Sequence, residues 1–268
     1  MNRLLWTRRA ALSLASAALL AACGSMAPTP PAGTEIVMMT SGGFAAASDE
    51  LKPGFERSTG YKVKTVYGSS MGGASDSIPS RLARNEPADV VILARSSLDQ
   101  LVAQGKVVPG SQVDIVHSLI GFAVKKGAPK PDVSTPEAVK RALLAAPSIA
   151  YSASASGTYY ETEMLKKLGI EAEVKPKSKR ILSERVATVV ARGDAALGLQ
   201  QVSELIPIPG ADFVGVLPPP LQRVTVFSAG ISTTAKNPDA ARALIRYYVS
   251  TEAAPTIRKA GLEPAPVK

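Results

Sequence analysis

The 268-residue sequence predicts an α/β fold, and three observations carry the prediction. Short apolar runs alternate along the chain with stretches of helical period, the pattern of helices layered on a largely parallel sheet. Glycines and prolines punctuate the places where helices stop or start. The length suffices for a buried core and for two lobes.

The elements follow in order. Residues 35–39 read as a first strand, ended by Thr40, Ser41, Gly42 and Gly43. A helix is expected from there to about Ser58, bent or delayed by Pro53-Gly54 and closed by Gly60. Residues 62–67 read as a second strand, then a Gly/Ser-rich turn and a helix centred on 80–84, with Pro79 in its first turn. The run Ala-Asp-Val-Val-Ile-Leu at 88–93 is a strand of the buried parallel kind. Residues 118–125 form the next strand and 135–145 a helix with Pro136 near its start. Residues 148–152 lead into a serine-rich turn and a helix over 158–168 that ends at Gly169. Ser183 is the expected N-cap of a helix over 184–192, with Gly193 at its end. Strands are expected at 196–200 and 224–231, and amphipathic surface helices at 238–250 and 252–260. The basic run Lys175, Lys177, Lys179 and Arg180 reads as a solvated loop.

The N-terminus predicts where the chain works. Arg3, Arg8 and Arg9 precede an apolar run over 10–20 that is too short to span a membrane, and Leu20-Ala21-Ala22-Cys23 follows. Residues 1–22 are therefore read as an export signal. The Leu-Ala-Ala-Cys ending resembles a bacterial lipobox, which makes Cys23 the lipidated first residue of a mature protein in the cell envelope. Residues 23–33, small and Pro-rich, read as a tether.

Composition excludes several classes. Cys23 is the only cysteine and His117 the only histidine, so a disulfide, a cysteine nucleophile and a zinc site of the usual Cys/His kind are ruled out. Net charge is +9. Without Arg3, Arg8 and Arg9, 28 basic side chains face 22 acidic ones, a net of +6. That surplus favours anionic ligands through steering. It does not indicate nucleic acid, because the chain is exported and its basic residues are interleaved with acidic ones. No catalytic triad, phosphate loop or metal motif occurs, and no cofactor is expected.

One pattern recurs: a strand, a Ser/Gly-rich turn, then a helix start. It occurs at Ser41, at Ser69-Ser70 and at Ser156-Gly157, and in part at Ser183. Helix starts expose unpaired N–H groups and a partial positive charge. In open α/β sheets ligands sit at the carboxyl ends of strands. Four such turns predict a cleft for one small anion.

The order of motifs resembles the type 2 periplasmic binding proteins, in particular the molybdate-binding-protein-like branch. The likeness rests on residues 37–41 with the following glycines, Tyr67-Gly68-Ser69-Ser70, Pro87-Ala88-Asp89-Val90-Val91-Ile92, Ser156-Gly157-Thr158-Tyr159 and residues 192–198. It implies a two-lobed α/β fold with a hinge cleft, lobe 1 being 34–117 plus 224–268 and lobe 2 being 118–223. It also implies that Ser41, Ser70, Ser156, Ser183 and Gln201 contact the ligand. Gln201 stands where molybdate binders present a tyrosine, the loop after Ser70 is longer by about five residues, and Arg95 stands where those binders commonly carry an aspartate. An arginine at a strand's carboxyl end suits a planar carboxylate. A small di- or tricarboxylate is therefore the expected ligand, ahead of molybdate.

The resemblance leaves two functions open. One is a solute receptor that captures the anion for an inner-membrane ABC transporter. The other is an enzyme of the exported aconitate isomerase kind, which shifts a proton across an allylic system without metal or cofactor. That chemistry needs a base and charge-stabilising donors. Ser203, Glu204 and His117 are the candidates for it. A regulator's effector domain shares the fold, but the export signal argues against it. Capture demands less of the residues and is the leading expectation.

Overall fold

Strand and helix boundaries come from a computed structural model that describes residues 33–71 and 73–266. The export signal, Cys23, most of the tether and Gly72 lie outside the described residues. The chain runs β1 (Glu35–Thr40), α1 (Gly42–Thr59), β2 (Lys62–Tyr67), α2 (Ile78–Ala83), β3 (Val90–Ala94), α3 (Arg95–Ala103) and β4 (Val113–Ser118). It continues through β5 (Ile120–Lys125), α4 (Pro136–Ala145), β6 (Ile149–Ser152), α5 (Ala155–Tyr159), a π-helical turn (Tyr160–Met164), α6 (Leu165–Leu168) and α7 (Glu171–Val174). A 3-10 turn (Lys175–Lys177), β7 (Ser178–Ile181), α8 (Val186–Arg192), β8 (Leu197–Gln201), α9 (Val202–Leu205) and β9 (Ala211–Val216) follow. The last elements are β10 (Thr225–Ile231), α10 (Pro238–Tyr248), α11 (Ala254–Lys259) and β11 (Leu262–Pro264).

Two sheets organise two lobes. The first has the order β11-β4-β10-β3-β1-β2 and the second β7-β6-β8-β5-β9. Only Leu119 separates β4 from β5, so the chain passes from one sheet straight into the other, and the segment between β9 and β10 brings it back. This corrects the expectation of a largely parallel sheet. β1 is parallel to β2 and β3, and β6 is parallel to β7 and β8. β10 runs antiparallel to β3 and β4, and β5 runs antiparallel to β8 and β9. Parallel neighbours need a covering helix between them, whereas strands that cross between lobes enter each sheet in reverse.

Each lobe has its own core. Ile36, Met38, Phe44, Phe55, Ile92, Phe227 and Tyr248 pack around the first sheet. Phe122, Leu143, Tyr160, Met164, Leu197 and Leu199 pack around the second. β3 is buried along its whole length, as its apolar run requires. Asp89 just before it is structural: its carboxylate accepts from the N–H groups of Val37, Lys236 and Asn237 at 2.8–2.9 Å. Gly60 and Gly193 end α1 and α8 with φ of 76° and 87°, the left-handed caps that the sequence places there.

Three local expectations change. The helix expected from residue 158 begins at Ala155 and passes through a π-helical turn. The basic run 175–180 is a 3-10 turn followed by the edge strand β7. The helix after Ser183 begins only at Val186 and its N-cap is Arg185, so Ser183 caps nothing. Among the described residues, no helix is long and apolar enough to cross a membrane.

Candidate functional site

A cavity of about 330 Å³ opens between the lobes at the carboxyl ends of β1, β2, β6, β7 and β8. Lobe 1 contributes Gly42 and Ala45 from the start of α1, Asp49, Tyr67, Gly68, Ser69 and Asp76. Lobe 2 contributes Ser152 to Ser154, Ile181 to Arg185, Gln200 and Glu204.

The lobe 1 wall is the first turn of an 18-residue helix. The N–H of Ser41 donates to the Ile92 carbonyl at 2.8 Å, which turns the chain from β1 into α1. Gly42 has no side chain because the Glu204 carboxylate occupies the place where its Cβ would stand. A carboxylate there lies on the positive end of α1. Tyr67 donates to Asp49 at 2.7 Å. Burial first, and then that hydrogen bond, push its hydroxyl up to about 12, so it stays protonated at neutral pH.

The lobe 2 wall holds a buried carboxyl. Glu204 lies on α9, which follows β8 directly, and it is 7% exposed. Burial pushes its carboxyl up to about 7, against a downward pull from Arg185. Gln200 donates its amide N–H to Glu204 Oε1 at 2.9 Å, and its own Oε1 accepts from the N–H of Val186 at 2.8 Å. Arg185 lines the same cavity, and among the described residues its guanidinium makes no ion pair or hydrogen bond. Glu184, its neighbour, is occupied by Arg192 through two bonds of 2.7 and 3.0 Å.

The expected residues divide. Ser183 and Glu204 line the cavity. Ser41 does not, but its hydroxyl is buried without a partner at the head of α1. Ser70 turns inward and accepts from the N–H of Ala94 at 3.0 Å, while Ser69 takes the cavity wall. Ser156 hydrogen-bonds Ser152 at 3.1 Å, and the cavity serines there are Ser152 and Ser154. Gln201 donates to Thr225 at 2.9 Å, tying β8 to the return crossover, and it is Gln200 that faces the cavity. Neighbouring strand residues point to opposite faces, so a register shift of one residue exchanges them. Ser203 is buried and donates to the Gly43 carbonyl at 2.7 Å, joining the lobes. His117 lies half-buried on β4 between Val226 and Glu263 and does not line the cavity.

Arg95 sits elsewhere. It begins α3, donates to Asp99 at 2.9 Å and Asp114 at 2.7 Å, and lines a different interlobe cavity with Met71, Tyr159 and Arg223. Two carboxylates already pair with the guanidinium expected to clamp a ligand and offset its charge. Sequence reasoning passed over Arg185 because it counted that residue inside a helix capped by Ser183. The sequence carries no signal for it, because the pairing of Glu184 and Asp194 with Arg192 exists only in the fold.

Residues 36–263 match the bacterial extracellular solute-binding proteins. The chain belongs to that family. An aconitate isomerase from a Pseudomonas species is 43% identical over 256 residues, covering 96% of this chain and 97% of its own. The periplasmic molybdate-binding protein of Azotobacter vinelandii superposes with a TM-score of 0.67 at 20% identity, over 87% of this chain and 100% of that one. The sulfate-binding protein SubI of Mycobacterium tuberculosis gives 0.65 at 21% identity, with 87% of each chain covered. These solved relatives share the two-lobed periplasmic binding protein fold expected from the motifs. In this solute-binding protein the cavity wall offers a buried carboxyl where capture alone requires only donors. Among the described residues, no cluster of His, Cys, Asp or Glu is arranged to hold a metal ion.

Proposed function

We propose that this chain is a cofactor-independent aconitate isomerase, in which Glu204 moves a proton across the three-carbon allylic unit of an unsaturated tricarboxylate. The observation that carries the reading is a buried cleft carboxyl brought to about 7, the value that suits a general base at neutral pH. The 43% identity to an aconitate isomerase over nearly the whole chain supports it.

In the proposed reaction ionised Glu204 takes a proton from the methylene carbon. The C–H electron pair spreads over the allylic unit and the adjoining carboxylate. Glu204 then returns the proton to the far carbon, so the double bond moves and no atom is gained or lost. Arg185 holds a substrate carboxylate and offsets the charge that develops. The positive end of α1, which reaches the cavity at Gly42 and Ala45, provides a second anchoring point. Ser154 and Ser183 supply further donors.

Capture of a di- or tricarboxylate for an inner-membrane ABC transporter is the second reading, favoured by family membership and by the two-lobed cleft. Both readings include export through residues 1–22, lipidation at Cys23, a tether to residue 33 and the lobe limits 34–117 plus 224–268 against 118–223.

Proton NMR of the purified protein mixed with trans-aconitate tests the proposal, with appearance of the cis isomer as the expected result. No turnover, together with a thermal shift from citrate or tricarballylate, overturns isomerisation in favour of capture. A shift from molybdate or sulfate alone overturns the tricarboxylate as well.

A further inference from the structure

We infer that Gln200 is a positioning residue for Glu204, tying the carboxylate to the first N–H of α8 so that Oε2 is the oxygen presented to the ligand. This rests on the proposed role of Glu204 and extends it. The backbone N–H of Val186 can only donate, so the Gln200 atom facing it at 2.8 Å is the carbonyl oxygen. That fixes the amide orientation, and the Gln200 N–H must then point at Glu204 Oε1, at 2.9 Å. Gln200 is 3% exposed, so solvent does not compete for either bond.

Several consequences follow. One oxygen of Glu204 is held, and among the described residues the other accepts no hydrogen bond. A donated hydrogen bond favours the ionised carboxylate and works against burial. The same amide also couples the two halves of the site, because Val186 follows Arg185 directly. The backbone that carries Arg185 is thereby tied to the base. Arg185 at the head of α8 and Gly42 at the head of α1 are the groups that face Glu204, and Asp49, Tyr67, Asp76 and Glu184 line the rest of the cavity.

Two variants of the full-length protein test this. Gln200→Met keeps the volume and removes both hydrogen bonds. Gln200→Glu keeps an acceptor for Val186 and sets a second carboxyl against Glu204. The titration of Glu204 is read by carbon NMR of glutamate-labelled protein, its resonance identified by its loss in Glu204→Gln. Both variants are expected to raise the Glu204 titration midpoint by about one unit, a tenfold smaller ionised fraction on the acid side. The acid limb of kcat/KM is expected to move up equally, with KM for trans-aconitate changed less than kcat. An unmoved midpoint in a folded Gln200→Met protein, with an unmoved acid limb, overturns the inference. Absence of turnover in the unmodified protein overturns the isomerase reading and leaves the NMR titration to decide the role of Gln200.

Discussion

Arg95 and Arg185 both stand at the mouth of an interlobe cavity, yet only one has its charge available for a ligand. Arg95 opens α3 and is held by Asp99 and Asp114, the latter also accepting from Ser228 at 2.6 Å. Arg185 precedes α8, and its acidic neighbour Glu184 is taken by Arg192. The lesson is that a cation's type and its place at a strand end do not make it a binding residue. What matters is whether local carboxylates have already neutralised it. The same holds for the whole molecule: the net positive charge does not collect in the cleft, where Asp49, Asp76, Glu184 and Glu204 surround a single arginine. In the proposed reading an anion is held there by that arginine and the head of α1, not by the overall surplus.

The sharpest test of this contrast is removal of the carboxyl that shares the cavity with Arg185. Glu204→Gln is expected to lower isomerase turnover by about 10³-fold, within the usual range for a lost general base, with trans-aconitate still bound. NMR kinetics beside calorimetric affinity measure the two effects separately. Next in size is Arg185→Ala, expected to weaken tricarboxylate affinity by about 2–5 kcal/mol, with Arg185→Lys only a partial replacement for a planar fork. Equal affinity in Arg185→Ala and the unmodified protein would break the comparison.

The buried carboxyl also makes a statement about stability. Because the folded value of Glu204 is raised above its unfolded value, folding favours the protonated form. Its contribution is therefore neutral below about pH 4.5 and turns unfavourable as pH rises to about 7. Glu204→Gln is expected to stabilise the protein at pH 8 by about 3 kcal/mol and to change little at pH 4.5, read by denaturant unfolding at both values. A variant less stable at pH 8 would show that the buried charge is better compensated than the cleft geometry indicates.

Adjacent glycines give a smaller and more local contrast. Gly42→Ala meets the Glu204 carboxylate, which is buried and held by Gln200, so stability is expected to fall by about 1–3 kcal/mol while turnover falls on the order of tenfold. Gly43→Ala meets the buried Phe227 ring, which has no room to move, and is expected to destabilise by about 1–3 kcal/mol. Thermal unfolding and NMR turnover of the pair distinguish a displaced base from a damaged core. Smallest of all, Arg95→Ala is expected to leave tricarboxylate affinity within about twofold and to lower stability by about 0–1 kcal/mol, as for a solvated ion pair. A large loss of affinity in Arg95→Ala would reverse the roles of the two arginines.

Much of the architecture was legible in the chain. The β2 strand over 62–67, the start of α4 at Pro136, and the glycines that stop α1, α6 and α8 stand where period and punctuation place them. Shorter or less regular elements were not legible: β4, α3, β7, α9, β9 and β11 carry too little periodic signal and are held by their neighbours. The site was legible by region and not by residue. Ser69 and not Ser70, Ser152 and Ser154 and not Ser156, and Gln200 and not Gln201 line the cavity.

The sequence by itself determined the alternating α/β order and the Ser/Gly-rich turns that precede helix starts, and it placed Glu204 among three candidates for proton transfer. Only the tertiary structure decided that Gln200 and not Gln201 faces the cleft, because a strand presents its residues to opposite sides and the register is set by distant partners. It alone set which loop serines reach the cavity. It also decided that Arg185, and not Arg95, keeps its charge. Glu184 reaches Arg192 over a separation of 8 and Asp114 reaches Arg95 over one of 19, and pairings across such distances are formed by folding and not by spacing. The raised value of Glu204 belongs to the same class, since the desolvation that produces it exists only once α9 is packed against the head of α1.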